Sequence, residues 1–154
     1  MKIFVTVGTT SFDSLIRFVD EKFQKNEYEV TLQISEGKYI PKNFEYFQFS
    51  ENIDFYYKNC DIVITHAGAG SIYRLLEIKK KMIIIPNIER VDKHQIEIAE
   101  FMKENGYALM CSDFNELHFA VDQIRNTELK VFQKEDFFAH FQIRNMLNTL
   151  YAQK

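Results

Sequence analysis

Apolar positions along this chain switch repeatedly between two spacings, and each switch marks the passage from a strand to a helix or back. Lys2 to Val7 is a short β-branched and aromatic run that reads as a strand, and it enters Gly8-Thr9-Thr10 directly. Leu15, Ile16, Val19 and Phe23 then recur at helical spacing, with Ser11 or Asp13 as the expected cap. Tyr28, Val30, Leu32 and Ile34 alternate with Glu29, Thr31 and Gln33, the pattern of a half-exposed strand. A loop at 35–43 precedes an aromatic strand at 44–49 and a short helix at 51–59. Ile62-Val63-Ile64 and Met82 to Ile85 are continuous apolar runs, suited to strands buried on both faces. Between them, Ile72, Leu75 and Leu76 mark a helix. The pattern continues with a helix at 92–104 closed by Asn105-Gly106, a strand at 107–111, and helices at 113–125 and 135–151. Strands alternating with helices through short connections predict an α/β fold with a Rossmann-like parallel sheet and flanking helices.

Composition narrows the picture only a little. The 154 residues suit a single domain over 1–154, long enough to bury about two-thirds of the unfolded surface. A net charge of −3 gives no basic field for sequence-independent nucleic-acid binding. The two cysteines, Cys60 and Cys111, form no Cys-x-x-Cys pair, which points away from zinc or disulfide frameworks and towards a reduced, cytoplasmic setting. No apolar run approaches the ~20 residues of a membrane span, and the amino terminus reads as a strand rather than a signal peptide. The aromatic excess, 15 Phe and 8 Tyr, suits either a surface covered by a partner or a phenylalanine-filled core.

The glycines carry the candidate chemistry. Of five in the chain, Gly8, Gly68 and Gly70 fall where a predicted strand hands over to a helix. Such turns gather at one edge of a parallel sheet, where backbone approaches a ligand closely. A glycine turn that opens a helix also presents free N–H groups and the positive end of the helix dipole, so a phosphate-bearing ligand is the leading expectation. His66 is either a core histidine satisfied by a carbonyl or a donor aimed at that phosphate, and its place at a strand's carboxyl end favours the second. His94 and Gln95 open the helix of the neighbouring unit, as exposed polar residues or as hydrogen-bonding partners of a polyhydroxyl ligand. Asn87, Glu89 and Asp92 lie in the loop between, where Asp92 can also serve as a cap. Gly8, Thr9 and Thr10 read as a ligand-lining turn or an ordinary connection. Lys79-Lys80-Lys81 reads first as a solvated helix end, with a membrane-surface contact as the alternative. His118 and His140 sit among helical aromatics and read as packing. Neither a Gly-x-Gly-x-x-Gly after the first strand nor a catalytic constellation supports a nicotinamide enzyme.

Three segments together resemble the C-terminal half of glycosyltransferase family 28. They are Val5-Thr6-Val7-Gly8-Thr9-Thr10-Ser11-Phe12-Asp13, Ile64-Thr65-His66-Ala67-Gly68-Ala69-Gly70-Ser71-Ile72, and Pro86-Asn87 through Asp92-Lys93-His94-Gln95. The likeness covers about residues 1 to 125 and is strongest to small stand-alone members. Among these are the donor-binding subunit of a eukaryotic dolichol-linked N-acetylglucosaminyl transferase and bacterial capsule and exopolysaccharide proteins.

The resemblance implies a two-component inverting enzyme of the GT-B type, in which this chain holds the UDP-sugar. A membrane-anchored partner subunit holds the lipid-linked saccharide acceptor and supplies the general base, and the chain is recruited through that partner to the inner face of the membrane. It implies diphosphate contacts from Gly8, Thr9, Thr10, His66, Gly68, Ala69, Gly70 and Ser71, and donor-sugar contacts from Asn87, Asp92, His94 and Gln95. No cofactor or metal is expected. The chain departs from the family at Arg74, where a glutamate usually holds the ribose; either Glu77, one turn on, substitutes for it or the backbone alone holds the ribose. The same departure leaves open an accessory subunit that binds and stimulates a transferase without itself being catalytic.

Overall fold

The computed structural model describes residues 1–89 and 94–134. Six parallel strands form one sheet in the order β3-β2-β1-β4-β5-β6, made of β1 (Lys2–Thr6), β2 (Glu29–Gln33), β3 (Glu45–Phe47), β4 (Ile62–His66), β5 (Met82–Ile85) and β6 (Leu109–Met110). Helices α1 (Asp13–Lys22), α2 (Ile53–Asn59), α3 (Ala69–Glu77), α4 (His94–Glu104) and α5 (Leu117–Asn126) fill the connections, with a 3-10 turn at Phe114–Glu116 before α5. The order reverses direction between β1 and β4, which places a switch point at the carboxyl ends of those two strands.

The core forms in two layers because the central strands are covered on both faces. Ile3, Val5 and Ile64 pack against α1 and α5. Phe4, Val63 and Ile84 pack against α2, α3 and α4. Phe4 is the hub of an aromatic cluster with Phe47, Tyr56 and Tyr57, at ring-centroid distances of 6.0, 5.2 and 5.6 Å. On the opposite face Phe18 and Phe23 stack on Phe114 and on His118, respectively. Much of the phenylalanine excess is therefore core filling, and His118 is a packing residue.

Several local expectations are corrected. Neither Ser11 nor Asp13 caps α1, whose N-cap is Phe12 with no side-chain bond. The Asp13 carboxylate instead accepts from the Lys38 N–H at 3.0 Å and fixes the 37–38 loop. The aromatic strand at 44–49 shortens to three residues at an exposed sheet edge. Tyr107 to Cys111 contributes only Leu109–Met110 to the sheet. The lysine run is a clamp rather than a free patch: Lys80 Nζ donates to the Cys60 carbonyl at 2.8 Å, and Lys81 Nζ donates to the Ile124 and Arg125 carbonyls at 3.0 and 2.9 Å. Those carbonyls end α2 and α5, where a cation is favoured. The segment expected as a helix at 135–151 lies outside the described residues, as does His140. Among the described residues, no helix is long and apolar enough to cross a membrane.

Candidate functional site

β1 and β4 end side by side, paired from Ile3 with Ile62 to Thr6 with Thr65, so the turns that follow them meet. Gly8 has φ +60, a left-handed conformation that suits glycine, and a Cβ there would stand 2.8 Å from His66 Cε1. Gly68 has an ordinary φ of −80. Its missing Cβ would collide with His66 Nε2. Two glycines thus make room for one imidazole. Gly70 is different: nothing lies within 4 Å of where its Cβ would be.

These turns form one wall of a cleft of about 1060 Å³, lined by Gly8, Thr9, Thr10, His66, Ala67, Gly68, Ala69, Gly70, Ser71, Glu89, His94, Gln95 and Ile98. α3 starts inside it. Ile72 N–H donates to the Gly68 carbonyl at 3.0 Å, which leaves the amides of Ala69, Gly70 and Ser71 as first-turn donors at the positive end of the helix. The first turn of α3 carries no acidic residue, so an anion meets no carboxylate from that turn.

His66 is 6% exposed, and its Nδ1 is buried without a hydrogen-bond partner among the described residues. Burial holds the imidazole below the ordinary histidine range. A neutral imidazole still carries one N–H, able to donate at the cleft wall. Ser71 stands beside Tyr57, whose phenol burial pushes up while the Ser71 and Thr6 hydroxyls pull it back. Behind Gly8, Thr9 and Ser71 lies a smaller cavity of about 200 Å³, reaching Phe49, Ser50 and Ile53.

The second unit contributes unevenly. His94 and Gln95 both line the cleft; His94 is well exposed and pairs with Glu97 at 3.3 Å, whereas Gln95 is 8% exposed. Gln95 Oε1 accepts from the Asn87 N–H at 2.9 Å, which fixes its amide at the cleft wall. Asn87, expected to face the donor sugar, does not line the cleft. It is 1% exposed; its Nδ2 donates to the Ser11 carbonyl at 3.3 Å and its Oδ1 accepts from the Glu89 N–H at 3.1 Å. Asn87 is thus a brace between the β1 and β5 loops.

Glu77, expected at the ribose, lies at the far end of α3 and pairs with Lys134 outside the cleft. Arg74 is held in a two-point pair by Asp54 of α2, which keeps the Asp54 carboxyl below the usual carboxylate range. Asp92 lies outside the described residues.

Sequence reasoning missed Gln33. Period-two alternation assigned it to the solvent side of a half-exposed strand, yet it is 3% exposed at the end of β2. Its signal was position: it is level with Thr6 in the sheet, one residue before the Gly8 turn begins at Val7.

A six-stranded parallel sheet, with its cleft at the carboxyl ends of β1, β4 and β5, defines the Rossmann-like half of a GT-B glycosyltransferase, and solved glycosyltransferases share this fold. The model of the glycosyltransferase family 28 C-terminal domain matches residues 2–150, and the chain belongs to that family. Human UDP-N-acetylglucosamine transferase subunit ALG13 is 33% identical over 123 residues, covering 71% of this chain and 11% of the human protein. A UDP-N-acetylglucosamine--N-acetylmuramyl-(pentapeptide) pyrophosphoryl-undecaprenol N-acetylglucosamine transferase from Prochlorococcus marinus is 25% identical over 152 residues, covering 92% of this chain and 42% of that enzyme. The chain therefore spans a small part of the one and less than half of the other. An NMR solution structure of ALG13 superposes with a TM-score of 0.61 at 21% identity, over 95% of this chain and 94% of that one, a likeness of fold.

Proposed function

We propose that the chain is the donor-binding subunit of a two-component inverting glycosyltransferase that uses a UDP-sugar and a lipid-linked saccharide. One observation carries the reading. The Gly8–Thr10 turn and the first turn of α3 meet in one wall of an open cleft, with the His66 ring packed against Gly8 and Gly68. In this reading the donor's diphosphate lies against the amides of Ala69, Gly70 and Ser71 and the Gly8–Thr10 turn, while His94 and Gln95 reach the sugar. As the glycosidic bond to the diphosphate breaks, negative charge grows on the departing UDP. Fixed donors in a protected site stabilise that charge without reorganising. That task falls to backbone amides, His66 and Ser71, and to no metal.

The names of the relatives favour UDP-N-acetylglucosamine as donor and a polyprenyl pyrophosphoryl saccharide as acceptor. None of the relatives described above is a capsule or exopolysaccharide protein, so that setting has no support beyond the initial resemblance. The base that deprotonates the acceptor is assigned to the partner, because the side chains that line the described cleft are all given to the donor in this reading.

The test is reconstitution. The purified chain alone transfers little sugar from UDP-N-acetylglucosamine to a polyprenyl pyrophosphoryl saccharide. Co-expression with the acceptor-binding polypeptide restores transfer, and excess EDTA leaves it unchanged. Robust transfer by the isolated chain contradicts the two-component reading. One observation favours a second reading, a non-catalytic accessory subunit: Arg74 replaces the family's ribose-holding glutamate and is paired with Asp54. That reading predicts stimulation of an already active partner with no binding of UDP-sugars by this chain.

A further inference from the structure

Gln33 has no place in the ligand contacts just described, yet every hydrogen-bonding position of its carboxamide is used at the site. Its Oε1 accepts from Thr6 Oγ1 at 2.6 Å and from the Val7 N–H at 3.1 Å. Its Nε2 donates to the Gly8 carbonyl and the Gln48 carbonyl, both at 2.8 Å. A carboxamide offers two acceptor sites and two N–H donors, so this one is saturated. It is buried, and it forms part of the wall of the smaller cavity behind the Gly8 turn.

The consequence follows from peptide geometry. In a planar trans peptide, a carbonyl and the next residue's N–H point in opposite directions. Gln33 draws the Gly8 carbonyl towards β2, so the Thr9 N–H must point away from β2, towards the side of the sheet that carries β4 and the His66–Gly68 turn. Glycine's left-handed φ at position 8 permits that plane without strain. We propose that Gln33 is the positioning residue of the phosphate-binding turn: it aims the Thr9 amide into the cleft and ties this turn to the Gln48–Ser50 loop bordering the smaller cavity. The ligand class is a nucleoside diphosphate, so the inference rests on the donor-binding reading. Without Gln33 the Gly8 and Gln48 carbonyls lose their shared donor, and the Thr9 peptide is free to rotate out of register with the first turn of α3.

The experiment compares full-length wild type, Gln33→Met and Gln33→Glu by calorimetric titration with UDP, at a temperature where thermal melts show each protein folded. Gln33→Met keeps the volume and removes all four bonds. Gln33→Glu keeps the two acceptor bonds and removes both donations at neutral pH. Both variants lose about tenfold or more in UDP affinity. The deficit of Gln33→Glu relative to wild type narrows at acid pH, because a protonated carboxyl regains one O–H for the Gly8 carbonyl. A merely structural glutamine lowers the melting temperature but leaves UDP affinity intact in the folded variants, and that result overturns the proposal.

Amide NMR of the wild-type chain gives a readout that needs no variant. UDP shifts the Thr9 N–H resonance together with those of Ala69, Gly70 and Ser71. A Thr9 resonance unmoved while the α3 resonances respond overturns the positioning role and leaves the donor reading standing. A wild-type chain that binds no UDP removes the donor reading, and this inference with it.

Discussion

His66 carries the heaviest load of any single residue, and its burial has a measurable price in pH. Its folded pKa lies below the ordinary value near 6.5, so the unfolded chain binds the extra proton more readily. The stability it contributes is present above pH 6.5 and is lost as the pH falls below it. A His66→Gln variant shows a flatter dependence of melting temperature on pH across that acid limb. An unchanged slope contradicts the assignment. If the donor-binding reading holds, His66→Ala also lowers transfer by the reconstituted pair by about 10²-fold, the usual cost of one lost electrostatic donor.

Asp20 is the residue-scale feature that governs stability rather than ligand binding. Burial alone would raise its pKa, but donors from Lys42, Tyr39, Asn43 and Phe44 more than offset this and leave it lowered. Asp20→Ala strands three backbone N–H groups of the 42–44 loop, and chemical denaturation should show a loss of about 3 kcal/mol. A loss within 0.5 kcal/mol, the size of an ordinary surface substitution, contradicts this role.

At the scale of elements, the glycines of the two turns separate architecture from ligand access. Gly8→Ala and Gly68→Ala both force a methyl group against the buried His66 ring, and Gly8→Ala adds backbone strain. Both lower the melting temperature. Gly70 sits in the first turn of α3 in open space, where alanine gains about 1 kcal/mol of helix propensity. Gly70→Ala therefore melts at the wild-type temperature or above, yet weakens UDP binding because its methyl group enters the cleft. Unchanged affinity in Gly70→Ala removes the first turn of α3 from the site.

The same elements show what was legible in the sequence. β4, β5 and the turn after β4 were readable because strands buried on both faces leave continuous apolar runs, and a glycine between strand and helix has few other uses. Gln33 and Asp20 were not readable. Each looks polar on a face expected to meet solvent, and each is buried by a segment distant in sequence, the Gln48 loop for one and the 39–44 loop for the other. Asn87 was placed at the right sheet edge but on the wrong side of the cleft wall. Its carboxamide is drawn inward by Ser11, a contact 76 residues away in sequence.

At the scale of the whole molecule, the central claim is that this cleft holds the diphosphate of a nucleotide sugar. In the proposed function an acceptor-bearing partner closes the site over the cleft, whose lining includes the exposed His94 and the unobstructed Gly70. Exposed Phe49 and Ile88, at loops flanking the two cavities, are available for such a contact. Calorimetric titration of the purified chain with UDP-N-acetylglucosamine and UDP, alongside His66→Ala and Gln95→Ala, measures the claim most directly. The account predicts micromolar binding of both ligands by the wild type, with losses of at least tenfold for UDP in His66→Ala and for the sugar nucleotide in Gln95→Ala. Absence of binding by a folded wild-type chain, or equal binding by all three proteins, contradicts it.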